Sequence, residues 1–204
     1  MIRKNKMNTI TENFEFKHVK DGVEYTLWYS RSVAAGMFVF AKNREGIWHI
    51  LACRRGNGAG SNNGKWNCPG GFIDFNETIL EGAVRECYEE TGLMIDKEDI
   101  DIVDIESTPW PNTRQTIGFK FYTIHRYMVE QLQEQLSFAN NEYCECDEIT
   151  FIPIYDVDNY KWAFNHAKAI KQIYETYINP TFATKINRTY NEIKKIWKRK
   201  KIYK

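Results

Sequence analysis

Three glutamates near the middle of the chain have the type and spacing of a cation-binding face. Glu86, Glu89 and Glu90 are three and four positions apart, so a helix would present their carboxylates on one side. Like charges at this spacing oppose helix formation by roughly 0.2 to 0.5 kcal/mol a pair, and the cluster is tolerated best with a cation between its members. Oxygen ligands of this kind suit Mg²⁺ or Mn²⁺ rather than zinc. A solvated acidic helix is the alternative interpretation.

Divalent cations held by carboxylates perform phosphorus chemistry. They clamp a diphosphate, neutralise the charge that builds on its oxygens, and lower the pKa of a bound water that attacks phosphorus. The glutamates therefore indicate hydrolysis of a P–O–P bond. Arg85 lies four residues from both Glu81 and Glu89, so the spacing predicts that it pairs with one of them and holds a carboxylate in place.

A helix over residues 77–91 is needed to position these carboxylates. Asn76 is the predicted N-cap, and Gly92 is placed for the left-handed residue that ends a helix. The predicted apolar face comprises Ile79, Leu80, Ala83, Val84 and Cys87.

The remaining apolar periodicity predicts a mixed α/β order around this helix. A buried strand, a turn and a returning strand make a hairpin at 33–41, 43–46 and 48–54, with a further strand ahead of them at 22–29. Later segments predict strands at 100–106, 117–125 and 148–153, and a helix at 162–177 that ends before Asn179-Pro180.

The segment from Gly71 to Leu93, GFIDFNETILEGAVRECYEETGL, fits the pattern G-x5-E-x7-R-E-U-x-E-E-x-G-U and resembles the Nudix box. Seven fixed matches at one spacing arise by chance about once in 10⁸ starting positions. Only Cys87 departs, standing where an aliphatic residue is usual, and it affects packing rather than chemistry. The chain is identified as a member of the Nudix hydrolase family over roughly residues 33–177. The fixed matches are Gly71, Glu77, Arg85, Glu86, Glu89, Glu90 and Gly92.

The resemblance implies an α/β Nudix fold, with a mixed β-sheet sandwiched between helices. It implies a pyrophosphohydrolase that uses Mg²⁺ or Mn²⁺ to cut a nucleoside diphosphate linked to another group. The metal ligands would be the three helix glutamates and the backbone carbonyl of Gly70, which a tight Gly-Gly loop lets come close. Glu77 would orient the site. The base would be a box glutamate or an acid from a later loop, for which Glu148 is the best candidate; a solvated turn is the other interpretation of Glu148.

The substrate is indicated by weaker features. In this family a proline sixteen residues beyond the box is associated with ADP-ribose hydrolysis, and Pro109 has that place, although residues 109–111 also fit a rigid turn. Trp110 could stack on an adenine. Arg54, Arg55 and Arg114 could contact phosphates, or be ordinary surface residues.

Three alternatives to ADP-ribose hydrolysis remain. Two are enzymes on nucleoside triphosphates or on capped RNA. The third is a non-catalytic nucleotide sensor whose tail binds nucleic acid, but the residues after Asn179-Pro180 are too few for the DNA-binding domain of such regulators.

Charge is distributed unevenly along the chain, although 28 basic residues nearly balance 27 acidic ones. Residues 185–204 contain nine basic residues and one acid, a net of +8, which leaves −7 on the rest of the chain's total of +1. The predicted division is a main domain at 1–180, including an N-terminal strand segment at 1–32, and a basic amphipathic helix at 181–204. The tail could support a homodimer or weak nucleic-acid contact.

The sequence contains no apolar run long enough for a membrane span and no apolar signal-peptide core near Met1, which predicts a cytoplasmic protein without a membrane partner. The five cysteines are odd in number and include no CxxC pair. Their pattern argues against a disulfide framework and against a zinc knuckle.

Overall fold

The computed structural model describes residues 14–29, 32–59, 61–107, 116–138 and 145–180. The predicted tail helix, the predicted boundary at residue 181, and the candidates Trp110 and Arg114 lie outside these residues. The strands of the described part are β1 (Phe14–Lys20), β2 (Val23–Tyr29), β3 (Val33–Lys42), β4 (Trp48–Arg55), β5 (Trp66–Asn67), β6 (Gly70–Phe72), β7 (Ile100–Glu106), β8 (Ile117–Ile124) and β9 (Cys146–Pro153). The α-helices there are α1 (Ile79–Thr91), α2 (Val129–Gln133) and α3 (His166–Ile173).

Seven of the described strands form one mixed sheet. The order β5-β4-β3-β8-β7 runs across it, with β6 also paired to β3 and β9 to β4. Strands β3 and β8 run parallel, while the other strand pairs of this sheet are antiparallel. The predicted strands are confirmed. The one predicted at 22–29 is β2, which pairs with β1 in a separate two-stranded sheet. Strand β1 was not predicted from the sequence.

The mixed sheet has an apolar core on each face because successive side chains of a strand point to opposite sides. On β3, Met37 and Val39 pack in the core that contains residues of α1 and α2. Phe38 and Phe40 pack in the other core, which contains residues of α3. The sheet therefore lies between helices, as predicted.

Helix α1 begins at Ile79, so the predicted N-cap Asn76 is wrong. Thr78 is the N-cap: its hydroxyl accepts from the Glu81 backbone N–H, while the Glu81 carboxylate accepts from the Thr78 backbone N–H. This reciprocal pair satisfies two donors that the helix itself leaves open, which a lone asparagine cap would not do. The helix ends as predicted at Gly92, whose φ of 72° is left-handed.

Helix α3 begins at His166, four residues later than the predicted start at 162. Phe164 and Asn165 have φ values of 56° and 62°, which are outside the right-handed helical region. After Ile173 the chain continues through a π-type turn, Tyr174–Ile178. The two left-handed residues set the direction in which the chain enters α3.

Within the residues described, no helix combines the length and the apolar character that crossing a bilayer requires.

Candidate active site

Arg85 is the centre of a network formed by the β6 loop and helix α1. Its Nε and Nη2 donate to the two oxygens of Glu77 at 2.9 and 2.7 Å. Its Nη1 donates to Glu86 at 3.0 Å and to Glu89 at 2.9 Å, and Nη2 also donates to the Phe72 carbonyl at 3.0 Å. Five hydrogen bonds thus match the five N–H donors of a guanidinium. The rigid fork fixes three carboxylates relative to the loop.

The predicted pairing of Arg85 with Glu89 is present, whereas pairing with Glu81 is not. Glu81 instead caps the helix and accepts from Lys97 at 2.9 Å. Glu77 is a further partner of Arg85, since its two carboxylate oxygens accept from Nε and Nη2. The hydrogen bonds from Arg85 lower the pKa of Glu77. Glu77 is therefore held ionised as a support of the loop.

Glu86 packs its carboxylate against the backbone of Gly71. A Cβ at Gly71 would lie 2.5 to 2.7 Å from the Glu86 carboxyl atoms, closer than real contacts allow. The side chain of Glu86 is 14% exposed. Burial raises the pKa of Glu86 despite the adjacent guanidinium of Arg85. The Gly-Gly loop thus provides space for a desolvated carboxylate.

Glu90 is the most deeply buried of the three helix glutamates, at 9% exposure. Its Oε2 accepts from the backbone N–H of Gly70 at 3.1 Å. Burial raises the pKa of Glu90 well above its usual range, with a smaller contribution from the nearby Cys146. The Gly70 backbone thus contacts Glu90 through its N–H, while metal binding by the Gly70 carbonyl stays a prediction.

The donor chemistry of this cluster fits a hard divalent cation. Among the described residues, Arg85 is the cationic side chain that hydrogen-bonds Glu77, Glu86 and Glu89, and its Nη2 also lies 4.0 Å from Asp74. One guanidinium cannot neutralise so many carboxylates, and two of the helix glutamates are largely withdrawn from water. A divalent cation with oxygen ligands could supply positive charge of the kind that these carboxylates need. We call Glu77, Arg85, Glu86, Glu89 and Glu90 the carboxylate cluster.

A cleft of about 640 Å³ opens next to the carboxylate cluster. This volume lies within the range of roughly 300 to 1,000 Å³ found for small-molecule sites. Arg85, Glu86 and Glu90 line it together with Gly70 and Gly71. The side chains of a second group also line it: Arg55, Lys120, Phe164 and His166, which we call the cationic-aromatic cluster.

Arg55 is fixed at the cleft by the loop that follows β4. Its Nε donates to the Ser61 carbonyl at 2.9 Å and its Nη2 to the Ala59 carbonyl at 2.6 Å. The guanidinium lies 4.9 Å from the centre of the Phe164 ring. The electrostatic attraction between a guanidinium and an aromatic face stabilises this arrangement. The predicted phosphate contact at Arg55 therefore lies at the cleft.

Lys120 reaches the cleft from β8, and His166 from the start of α3. Lys120 Nζ is 3.0 Å from Asp104 and 3.3 Å from Glu106. The Nδ1 of His166 accepts from the backbone N–H of Cys68 at 2.9 Å, so the ring is held against β5 and its loop. A cationic and a ring side chain thus approach the cleft from distant parts of the chain.

Arg54 and Glu148 are placed differently from the other candidates. Arg54 Nε is 2.8 Å from Asp147 and 3.3 Å from Glu148, and the two partners stand opposite each other on β4 and β9. Neither of these described side chains is in the cleft lining. Glu145, which precedes β9, is in that lining, and its charge adds to the raised pKa of Glu86. The later-loop acid at the cleft is therefore Glu145.

Sequence reasoning did not single out Lys120, Glu145, Phe164 or His166. Phe164 and His166 fell inside a predicted helix, where they read as ordinary helical residues. Lys120 interrupts an otherwise apolar stretch of β8, and this interruption is the one local signal that could have indicated a functional side chain. The others become neighbours only after the chain has folded.

A sequence model of the NUDIX domain family matches residues 30–173, more than two thirds of the chain. Over 97 residues the chain is 36% identical to Nudix hydrolase 8 of Arabidopsis thaliana, which covers 41% of this chain and 25% of that protein. It is 40% identical over 73 residues to an RNA pyrophosphohydrolase of Erythrobacter litoralis, covering 36% of this chain and 40% of that protein. The alignments thus span less than half of each relative.

Solved structures with a similar fold include two nucleotide complexes. The NUDIX domain of Shewanella oneidensis NrtR, solved with ADP ribose, has a TM-score of 0.59 at 19% identity, over 72% of this chain and 88% of that one. A bifunctional NMN adenylyltransferase/ADP ribose pyrophosphatase of Francisella tularensis, solved with AMP and a Mn ion, has a TM-score of 0.51 at 19% identity, over 71% and 41%. At these identities the likeness concerns the fold.

Proposed function

Because the chain belongs to the NUDIX family, we propose that it is a divalent-metal-dependent hydrolase that cleaves the diphosphate of a nucleoside diphosphate linked to another group. The favoured substrate is ADP-ribose or a close relative of it. The observation that carries the proposal is one cleft lined by members of both clusters: the desolvated Glu86 and Glu90 of the carboxylate cluster, and the cationic and ring side chains of the other. A diphosphate conjugate needs both, since its charge requires cations and its base requires an apolar platform.

The metal would be held by Glu86, Glu89 and Glu90, with the Gly70 backbone beside them. A bound Mg²⁺ or Mn²⁺ would neutralise the diphosphate and lower the pKa of a water molecule. Arg85 positions two of these ligands through Nη1, and Glu77 anchors Arg85 from the opposite end of its fork. The network fixes Glu86 and Glu89 relative to the β6 loop before substrate arrives, and the three helix glutamates would draw closer together around the cation.

The base would be a box glutamate or Glu145. Glu145 replaces Glu148 as the acid from a later segment because it lines the cleft, while Glu148 pairs with Arg54. A base must come within hydrogen-bond reach of the attacking water, directly or through one further water. A carboxylate at the cleft meets that requirement more readily than one engaged outside it.

Arg55, Lys120 and Phe164 would recognise the substrate. Arg55 and Lys120 supply positive charge for phosphate oxygens. The Phe164 ring supplies an apolar face on which a base could stack, a contact worth roughly 1 to 3 kcal/mol in nucleic-acid sites. The ADP ribose bound to the Shewanella domain of similar fold makes ADP-ribose the first substrate to test. Trp110 and Arg114 remain proposed contacts.

The proposal is tested by incubating the pure chain with Mg²⁺ or Mn²⁺ and a panel of nucleotides, followed by product identification by mass. ADP-ribose should take up one water across the P–O–P bond and give AMP and ribose 5-phosphate. A chelator should abolish turnover and added Mg²⁺ should restore it. Glu98→Gln, at an exposed turn residue, is the matched charge-removal control and should retain parental rates.

The panel also separates the alternatives. Release of pyrophosphate from nucleoside triphosphates, or turnover of 5′-phosphorylated or capped RNA, would replace ADP-ribose with those substrates and keep the metal site. Binding of nucleotides without any product, in protein that binds Mg²⁺, would favour the sensor. Turnover that persists in excess chelator would contradict the proposed mechanism.

A further inference from the structure

Two cysteines lie next to one glutamate of the carboxylate cluster. Cys53 lies on β4, Cys146 begins β9, and Glu90 lies near the end of α1. One ligand atom from each, two thiol sulfurs and a carboxylate oxygen, can be chosen so that all three lie within 4.8 Å of one another. Among the residues that the structure describes, these form the one group of three or more His, Cys, Asp or Glu donors that meets this spacing.

A bulge between β4 and β9 brings the two sulfurs together. Cys53 pairs with Ile149 and Arg54 with Glu148, but Arg55 pairs with Cys146, so Asp147 is the extra residue. In a regular antiparallel pair Asp147 would stand opposite Arg55, and Cys146 would point to the other face of the sheet. The extra residue moves Cys146 to the face that carries Cys53. That face is the one against which α1 packs.

The three atoms form a donor set with a distinct chemical preference. Thiolate sulfur binds borderline and soft cations such as Zn²⁺, whereas Mg²⁺ prefers oxygen alone. In a tetrahedral zinc site with metal–sulfur bonds of about 2.3 Å, neighbouring ligand atoms stand about 3.7 Å apart. Shifts of about 1 Å therefore bring these donors to zinc geometry. Metal binding deprotonates a coordinating thiol outright, so the buried sulfurs need no prior ionisation.

The cluster has a route to solvent through the cleft. Glu90 lines the cleft although only 9% of it is exposed, and Glu145, next to Cys146 in sequence, lines the cleft too. Cys53 and Cys146 are 0% and 2% exposed. A cation that enters the cleft would thus meet the carboxylate first and the two sulfurs behind it, with its fourth coordination position facing the cleft.

We propose that Cys53, Cys146 and Glu90 form a binding site for a thiophilic divalent cation such as Zn²⁺, which competes with the hard catalytic cation for Glu90. One carboxylate then belongs to two sites of different chemistry. A Zn²⁺ ion bound by the sulfurs draws Glu90 away from the Mg²⁺ position and stops turnover. The inhibitory consequence rests on the proposed hydrolase function, whereas the binding itself does not.

Binding is tested with Co²⁺ as a spectroscopic substitute for Zn²⁺ on the full chain under reducing conditions. One equivalent of Co²⁺ should produce thiolate-to-metal charge-transfer absorption in the near ultraviolet, and one equivalent of Zn²⁺ should remove it. Mg²⁺ should not produce it. Parent protein that shows no such band with saturating Co²⁺ would overturn the proposal, whatever its hydrolase activity.

Substitution of single cysteines identifies the ligands. Cys146→Ala should weaken Zn²⁺ binding by at least about 100-fold, since losing even a partner of a ligand costs 10- to 100-fold. Cys68→Ala is the matched control: Cys68 is buried and lies near Glu90, but it is outside the three-donor group. Equal losses of affinity in both folded variants would overturn the assignment.

A measurement on the parent protein is independent of how the variants fold. After partial unfolding, Zn²⁺ should protect the peptides of Cys53 and Cys146 from alkylation, while Cys68 and Cys87 react at their metal-free rates. Protection of a different pair would contradict the site. In the hydrolase assay, in which each protein is compared with its own Mg²⁺ rate, Zn²⁺ should inhibit the parent and Cys68→Ala, whereas Cys146→Ala should be resistant. An inactive protein that still shows the Co²⁺ band would fail only the proposed function.

Discussion

The carboxylate cluster and the cationic-aromatic cluster differ in how far apart their members lie in the chain. The carboxylate cluster comes from one segment, between Glu77 and Glu90, and most of it from successive turns of one helix. The cationic-aromatic cluster comes from β4, from β8, from the first residue of α3 and from Phe164 just before that helix. The first is built by local helical spacing, while the second exists only when distant strands pair. The residues proposed to carry the reaction are thus close together in the sequence, whereas those proposed to recognise the substrate are far apart.

Removal of a charge from the carboxylate cluster should have the largest effect on activity. Glu90→Gln and Glu89→Gln keep the size and helix propensity of glutamate but weaken the hold on the cation. We expect kcat to fall on the order of 10³-fold, measured at saturating Mg²⁺ against Glu98→Gln as control. Near-parental turnover by both mutants would remove the metal assignment.

Glu90 should also reduce the stability of the metal-free fold. Burial raises the pKa of Glu90, so between its unfolded and its folded pKa the folded chain holds a proton that the unfolded chain has lost. Metal-free parent should therefore become more stable as the pH falls through that window. Glu90→Gln should melt at a higher temperature than the parent at neutral pH and lose this part of the pH slope. A lower melting temperature would show that the charged form is stabilised instead.

Gly71→Ala tests whether the loop makes room for a ligand. The added Cβ would overlap the Glu86 carboxylate, so the side chain must leave its place on Arg85. We expect metal affinity to fall about 10- to 100-fold, as for changes next to metal ligands, by titration with Mn²⁺. Gly118→Ala is the control, because its Cβ would make only an ordinary contact with Glu106 at 3.9 Å. Equal affinities in the two variants would exclude this role.

Phe164→Ala should act on the other cluster and change KM rather than kcat. Loss of a stacking face remote from phosphorus removes uniform binding, and we expect KM for ADP-ribose to rise about tenfold. Phe164→Gly separates recognition from backbone effects, since the φ of 56° costs glycine little. Both variants should share the KM change, while the glycine variant is the more stable by about 1 kcal/mol. Unchanged KM in both would make Phe164 a packing residue.

The smallest effect is expected for Arg54, the neighbour of Arg55. Arg54 lies in an exposed ion pair with Asp147, a type worth about 0 to 1 kcal/mol. Arg54→Gln should leave KM and kcat within about twofold, whereas Arg55→Gln should raise KM because its guanidinium lies at the cleft. Similar kinetic changes in both would mean that charge in this region acts at long range.

The helix and its carboxylates could be predicted because their information is local. Spacings of three and four, and the glycine at the end of α1, fix which residues share a face. The boundaries were less accurate where two residues of a cap-forming type lie close together, as Asn76 and Thr78 do before α1. The start of α3 was missed because Phe164 takes a left-handed backbone angle that is rare for a bulky residue, followed by Asn165, whose type adopts such angles more often.

The rest of the site depends on tertiary pairing. Arg54 and Arg55 are adjacent and chemically identical, yet one faces an ion pair and the other the cleft. The bulge in β9 decides which face of the sheet the Cys146 side chain lies on, and a bulge has no clear sequence signature. Cys53 and Cys146 are 93 positions apart, so no cysteine spacing could have indicated their proximity.

The parallel pairing of β3 with β8 also has a consequence for the order of folding. Val33 pairs with Ile117, and the adjacent Ser32 and Thr116, 84 positions apart, share a hydrogen bond. Closing so long a loop costs entropy before the contact returns any stability, so such pairs form late. The β3–β4 hairpin and the capped helix α1 need no such closure. A nascent chain would therefore carry its glutamates on a helix before it has a cleft, and the residues proposed to recognise the substrate would come together only when β8 joins the sheet.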